Sequence, residues 1–253
     1  MSEIKFISRN KINIETNSKI LLRKFTRPST LISLSLLFLI IFCALFASIL
    51  APTNPYDLKV VSILDSRLSP GDKMLNGTVA WLGTDGAGRD VLSAIIFGLR
   101  TSLVVAISSA VIALIAGLFV GLIAGFYGGK IDAFLMRIVD IQLSFPAILV
   151  ALVLLALLGK GIDKVIIALA IVQWAIYART VRAAAIVERN KEYIQAASCL
   201  GLSNSLIIWK HLLPNSISPL IVLATLQTAH SISIEATLSF LGVGVPITEP
   251  SLG

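Results

Sequence analysis

The chain has 253 residues, of which 56% are hydrophobic and only 14% charged. A soluble domain carries roughly a quarter of its residues as charges, so this composition excludes a water-clothed globule of the same length. The mean hydropathy of +0.90 points the same way, and the net charge of +7 fits the excess of Lys and Arg in the cytoplasmic loops of membrane proteins. No basic stripe with interleaved aromatic residues accompanies that charge, so no nucleic-acid partner is expected.

Five apolar runs follow in order. The first, Ser29 to Ala51, holds no charge and spans ~35 Å as a helix, enough to cross a bilayer core of ~30 Å. It follows 28 polar and basic residues and reads as a retained anchor rather than a cleaved leader. The second is expected from about Thr101 to Phe126 and the third from about Ile138 to Leu158, kinked at Pro146. The fourth is expected from about Ile162 to Ala178 and the fifth from about Ile217 to Leu241.

Lys and Arg fix the expected orientation. Lys5, Arg9, Lys11, Lys19, Arg23, Lys24 and Arg27 precede the first run. Lys130 and Arg137 follow the second, and Arg179, Arg182, Arg189, Lys191 and Lys210 lie between the fourth and fifth. The other side carries half as many. Residues 1–28 are therefore expected in the cytoplasm, 29–51 as the first span, 52–100 as an external loop, and 101–253 as the core.

The second run carries small residues at every fourth position: Ser109, Ala113, Gly117, Gly121, Gly125 and Gly129. Such a face allows close helix approach, and Gly117, Gly121 and Gly125 are its expected packing centre. Two acids fall within or near apolar runs. Asp140 is expected to pair with Arg137 one turn earlier. Glu235 is either a cavity or gate residue or a group that hydrogen-bonds between helices.

No catalytic site, metal site or cofactor is expected. Cys43, Cys199, His211 and His230 lack second ligands at plausible spacing. The nearest approach to a phosphate-cradling loop, at Gly129-Lys130, has Ala124 in place of the first Gly and Ile131 in place of the hydroxyl. Any ATP hydrolysis must come from a partner.

The segment between the fourth and fifth runs reads as two short helices. Glu192 to Leu200 forms one, Gly201 stops it, and Ser203 caps another that ends before Pro214. Ala196 and Ala197 are expected on a bare face suited to docking. This segment resembles the EAA loop of ABC-importer permeases, whose pattern is E-A-A, three residues, G, nine residues, I-x-L-P. Gln195-Ala196-Ala197, Gly201, Leu213 and Pro214 fall at that spacing, with Gln195 in place of Glu and His211 in place of Ile. Trp81 to Leu103 and Glu235 to Pro246 resemble two further signatures of the dipeptide, oligopeptide and nickel branch.

The resemblance implies an all-α integral membrane protein with the type I ABC-importer transmembrane fold. It implies a second homologous permease subunit, two ATPase subunits, an external substrate-binding protein and surrounding membrane lipid as partners. The loop at about 187–215, with Glu192, Ala196, Ala197, Gly201, Leu213 and Pro214, would couple to the ATPase. The location would be a bacterial or archaeal cytoplasmic membrane and the cargo a peptide or a small solute such as a nickel chelate. Members of the branch have six spans and a P-S-W-G stretch, whereas here Leu252 stands for the Trp and five spans are counted. A shortened permease that inserts, binds its ATPase and transports poorly is therefore expected. A non-transporting remnant and an ion-coupled secondary transporter are the alternatives.

Overall fold

The computed structural model describes residues 27–57, 61–246 and 249–252. The basic residues 1–26, Lys59, Ile247, Thr248 and Gly253 lie outside the described residues. The described residues form helices joined by turns, with two isolated β-bridges in the segment before the long second span.

Helix α1 covers Pro28–Leu45, and α2 adds Ala47–Leu50 after a break at Phe46. Proline at the first position suits a helix start because its missing N–H would have no partner there. Ala44 is the buried residue of α1. A helix apolar all round that touches protein along one side only is solvated by lipid over the rest of its surface.

Helix α3, Val91–Tyr127, has 37 residues, or ~55 Å, well beyond a ~30 Å hydrocarbon layer. It begins ten residues before the expected Thr101, because the Asp90 side chain caps it by accepting from the Ser93 amide at 2.8 Å. Helix α4 is Gly129–Leu143 and α5 is Ala147–Leu158. They meet at 87°, so the expected single kinked span is two helices. Pro146 lacks the donor that continuity needs and disfavours helical angles at the residue before it.

Helix α6 is Ile162–Arg189, continuing past the expected end at Ala178. Its charged last turns are tolerated because α4 supplies acids. Arg182 forms a bidentate pair with Asp132, and Arg179 Nη2 lies 2.6 Å from Asp140 Oδ1. The expected Asp140–Arg137 pair is thus replaced by one across helices.

Helix α7 is Glu192–Cys199 and α8 is Asn204–Leu206. A π-helical turn at Ile207–Leu212 leads into α9, Leu213–Ser216, and then α10, Ser218–Phe240, at a 60° bend. The expected stop before Pro214 does not occur. The Leu213 amide bonds to Ile208 O, and Pro214 enters the first turn of α9, where its lost donor costs little.

The core is the crossing of α3 and α6. A Cβ at Gly121 would lie 2.5 Å from Ala178 O, and one at Gly125 would lie 2.6 Å from Ala185 Cβ. Gly117 meets Tyr177 and Trp174 in the same way. Only hydrogen fits between these backbones, so dispersion contacts there are at their shortest. Gly129, at the end of the row, has open space around it and a φ of +54°, and it belongs to the turn into α4. Around the crossing, Val105, Leu155, Val165, Leu169 and Leu238 fill one half of the bundle. Leu122, Tyr177, Val181, Leu212 and Leu220 fill the other.

Gly121→Ala should therefore lower the stability of the detergent-solubilised protein by about 1–3 kcal/mol, read as a fall in thermal midpoint. Gly86→Ala, which meets nothing within 4 Å, should leave it unchanged.

Candidate functional site

The residues of the α7–α9 segment sort into an anchored face and a free face. Ile194, Ala197 and Ile207 are buried against Phe126, in the last turn of α3. Ala197 is thus turned inward, contrary to the bare face expected for it, because helical spacing carries it to the side of Ile194. Glu192, Gln195, Ala196 and Cys199 are exposed, and Leu200 is 81% exposed. Leu213 is half-buried and Pro214 exposed. Gly201, at φ +77° with nothing near its Cβ position, turns the chain where an L side chain would be strained. Ser203 caps α8 by accepting from the Leu206 amide at 3.4 Å.

A polar clasp ties this segment to the end of α6. The Tyr193 hydroxyl donates to Glu188 Oε1, and Asn215 Nδ2 donates to the Tyr193 oxygen at 2.9 Å. Lys191 Nζ lies 2.7 Å from Glu188 Oε2. The clasp escaped sequence reading, since its members lie five and 22 residues apart with no periodic signal. Burial and then the neighbouring Glu188 carboxylate push the Tyr193 hydroxyl up to about 12.

At the opposite end of the bundle, the Trp81–Leu103 motif builds its own turns. Asp85 Oδ1 accepts from the amides of Ala87 and Arg89 at 2.9 Å, and Arg89 Nε closes on Asp85 Oδ2 at 2.8 Å. Thr84 donates to Asp65 O and accepts from the Leu68 amide at 2.7 Å. Gly83 and Gly88 have φ near +80°, and a Cβ at Gly88 would strike Ser62 O.

Glu235 is completely buried between α3 and α10. Ser102 Oγ donates to its Oε2 at 3.1 Å and Ser239 Oγ to its Oε1 at 2.8 Å. Deeper in the bundle, Ser109 Oγ meets Ser231 Oγ at 3.3 Å, and Gln173 Nε2 donates to Ser231 at 2.7 Å. These contacts join α3, α6 and α10 through polar groups that lipid could not satisfy. Among the described residues, no group of three His, Cys, Asp or Glu could hold a metal ion.

Comparison with known proteins agrees with this architecture. Residues 117–253 match the family described as "Binding-protein-dependent transport system inner membrane component". The chain is 40% identical over 216 residues to the "Di/tripeptide transport system permease protein DppC" of Pseudomonas aeruginosa, covering 85% of this chain and 70% of that protein. It is 44% identical to the "Dipeptide transport system permease protein DppC" of Escherichia coli K12, covering 85% and 71%. A "Putative peptide permease protein" of Brucella suis is 37% identical over 173 residues, covering 68% and 57%. The chain thus spans between 57% and 71% of the length of these three relatives. It belongs to the family of binding-protein-dependent transport system inner membrane components, in the dipeptide and oligopeptide branch of the ABC-importer permeases. Among the described residues, three helices are long and apolar enough to cross a membrane, or up to five if each bent pair counts as one span, which with the family makes it a multi-pass inner-membrane protein.

The clasp carries a pH signature. A hydroxyl raised from 10.0 to about 12 contributes stability that is fully present below pH 10 and is lost as pH rises through 12. Amide-exchange protection of residues 192–216, corrected for intrinsic rate, should hold below pH 10 and fall between 10 and 12. Tyr193→Phe should lose about tenfold of that protection at neutral pH, with α3 and α10 unaffected.

Proposed function

We propose that this chain is the membrane-spanning permease subunit of an ATP-driven importer for short peptides or a similar small solute, such as a nickel chelate. The supporting observation is the two-faced α7–α9 segment. One face is fixed to α3 by Phe126 and to α6 by Glu188, while the other presents Glu192, Ala196 and Leu200 to solvent. A partner seated on the free face can then move α6 and, through Asn215 and the bend at Ile217, α10 as well. That is the linkage needed for a distant event to bias two arrangements of a bundle.

In this reading the engine is a pair of ATPase subunits, one of them docked on α7, with Gly201 and Pro214 shaping the segment it grips. A second, homologous permease subunit completes the pathway, and solute crosses between the two. An external substrate-binding protein delivers the cargo. The N-terminus and the α7–α9 segment face the cytoplasm, and the turns of residues 52–90 face outward. The names of the peptide permeases that it resembles support the peptide class.

The test is co-purification in mild detergent. The intact chain should retain its ATPase, and Gly201→Asp combined with Glu192→Ala should lose at least about tenfold of it, or ~1.4 kcal/mol of binding, while still inserting. Failure of any ATPase to accompany the intact chain would overturn the reading.

A further inference from the structure

The Gly98–Leu103 part of the Trp81–Leu103 motif is only partly used by packing. Gly98 leaves room for the backbone of Ser251, where a Cβ would lie 3.1 Å from its carbonyl carbon. Ser102, one turn on, donates to Glu235 and accepts from the Leu252 amide at 3.4 Å. Arg100 lies roughly 200° around the helix from Gly98, at 100° per residue. It is exposed and makes no ion pair or hydrogen bond among the described residues.

Two concavities meet at Arg100. One, of about 630 Å³, is lined by Thr53, Asn54 and Tyr56 from the segment after α2, by Phe97 and Thr101 of α3 and by Ile162 of α6. The other, of about 430 Å³, runs between α1 and α3 and is lined by Ile41, Ala44, Leu45, Leu103 and Ile107. Arg100 and Val104 line both. Leu45, Val104 and Ile107 are exposed along the groove. The junction lies where the apolar run of α1 and α2 gives way to Pro52, the depth at which a bilayer changes from hydrocarbon to headgroup.

We propose that this junction binds one anionic phospholipid, its phosphate on Arg100 and an acyl chain along the groove between α1 and α3. The charge sets the sign of the headgroup, and the Asn54 side-chain amide beside it can donate to phosphate or glycerol oxygens, the hydroxyls of Thr53 and Thr101 already donating to Ser93 and to Phe97 O. The apolar groove below suits a chain and would be left empty by a small polar solute. The chain gains little by leaving other lipids, since both surroundings are equally apolar. Selectivity therefore rests on Arg100.

Native mass spectrometry of the full chain in neutral detergent tests this, with phosphatidylglycerol, phosphatidylcholine and soluble glycerol phosphate as probes. The intact chain should retain phosphatidylglycerol over phosphatidylcholine by about fivefold, the weight of one cation near a lipid surface. Arg100→Gln should equalise the two, Arg100→Lys should keep a preference, and Ile107→Trp should expel both by filling the groove. Both sites are exposed, so thermal midpoints should stay unchanged. Equal retention by the intact chain and Arg100→Gln would overturn the proposal. So would displacement of the lipid by glycerol phosphate at equal concentration, or photo-cross-linking from residue 104 in membranes to a protein instead of lipid. The assay needs neither ATPase nor solute, so its failure is distinct from failure of the transport reading.

Discussion

The backbone-to-backbone contact of α3 with α6 is the constraint on which the remaining structure depends. In hydrocarbon, apolar side chains gain nothing by leaving lipid for one another, so two helices associate only as well as their surfaces fit. Gly117, Gly121 and Gly125 remove every side-chain atom from the crossing, and Trp174, Tyr177, Ala178, Val181 and Ala185 fill the space. The crossing then aligns the helix ends. Arg179 and Arg182 reach the acids of α4, and Glu188 stands beside the start of α7. A bulkier ridge would push α6 outward and carry the clasp at Tyr193 away from Phe126.

Helix α10 is held partly by a different kind of force. Beside the apolar packing of Leu220, Ile234 and Leu238, its polar contacts to α3 and α6 run through Glu235, Ser231 and the groups facing them, and among the described residues Gln173 Oε1 and Gln227 Nε2 have no hydrogen-bond partner. An interlocked glycine face has one good register, because small displacements lose dispersion contacts steeply. Hydroxyl and amide groups can exchange partners at modest cost as long as each finds another. The bundle thus combines a rigid pair, α3 with α6, and a third helix whose polar seam is the more adaptable joint. The α7–α9 segment touches both.

Much of this was legible in the sequence, for reasons that can be named. The absence of charge from Ser29 to Ala51 marks a lipid-bathed helix, and the repeat of small residues at every fourth position marks the face of closest approach. Gly201 and Ser203 marked the turn between α7 and α8 through backbone preference and capping. Helix ends were misread where charge was taken for a boundary. Arg100 and Arg179 lie inside helices, one at a concave junction and the other paired with Asp140. Pro146 signalled a kink, yet the size of the bend depends on packing against α6. Ser102, which meets Glu235, and Asn215, which meets Tyr193, come from distant turns and leave no mark in local sequence.

The two loop motifs answer a separate question, whether a distinctive run of residues serves the chain itself or something outside it. In Leu82 to Asp90, Gly83 and Gly88 adopt left-handed angles, Thr84 and Asp90 are buried, the side chains of Asp85 and Asp90 bind the backbone of their own turns, and that of Thr84 binds the backbone at Asp65 and Leu68. That motif folds the loop and caps α3. In Glu192 to Leu200, only Ile194 and Ala197 turn inward, and an apolar Leu200 stands almost wholly in solvent beside a bare Ala196. Both runs are equally distinctive as sequence. Burial separates them: it assigns the first to folding and leaves most of the second exposed.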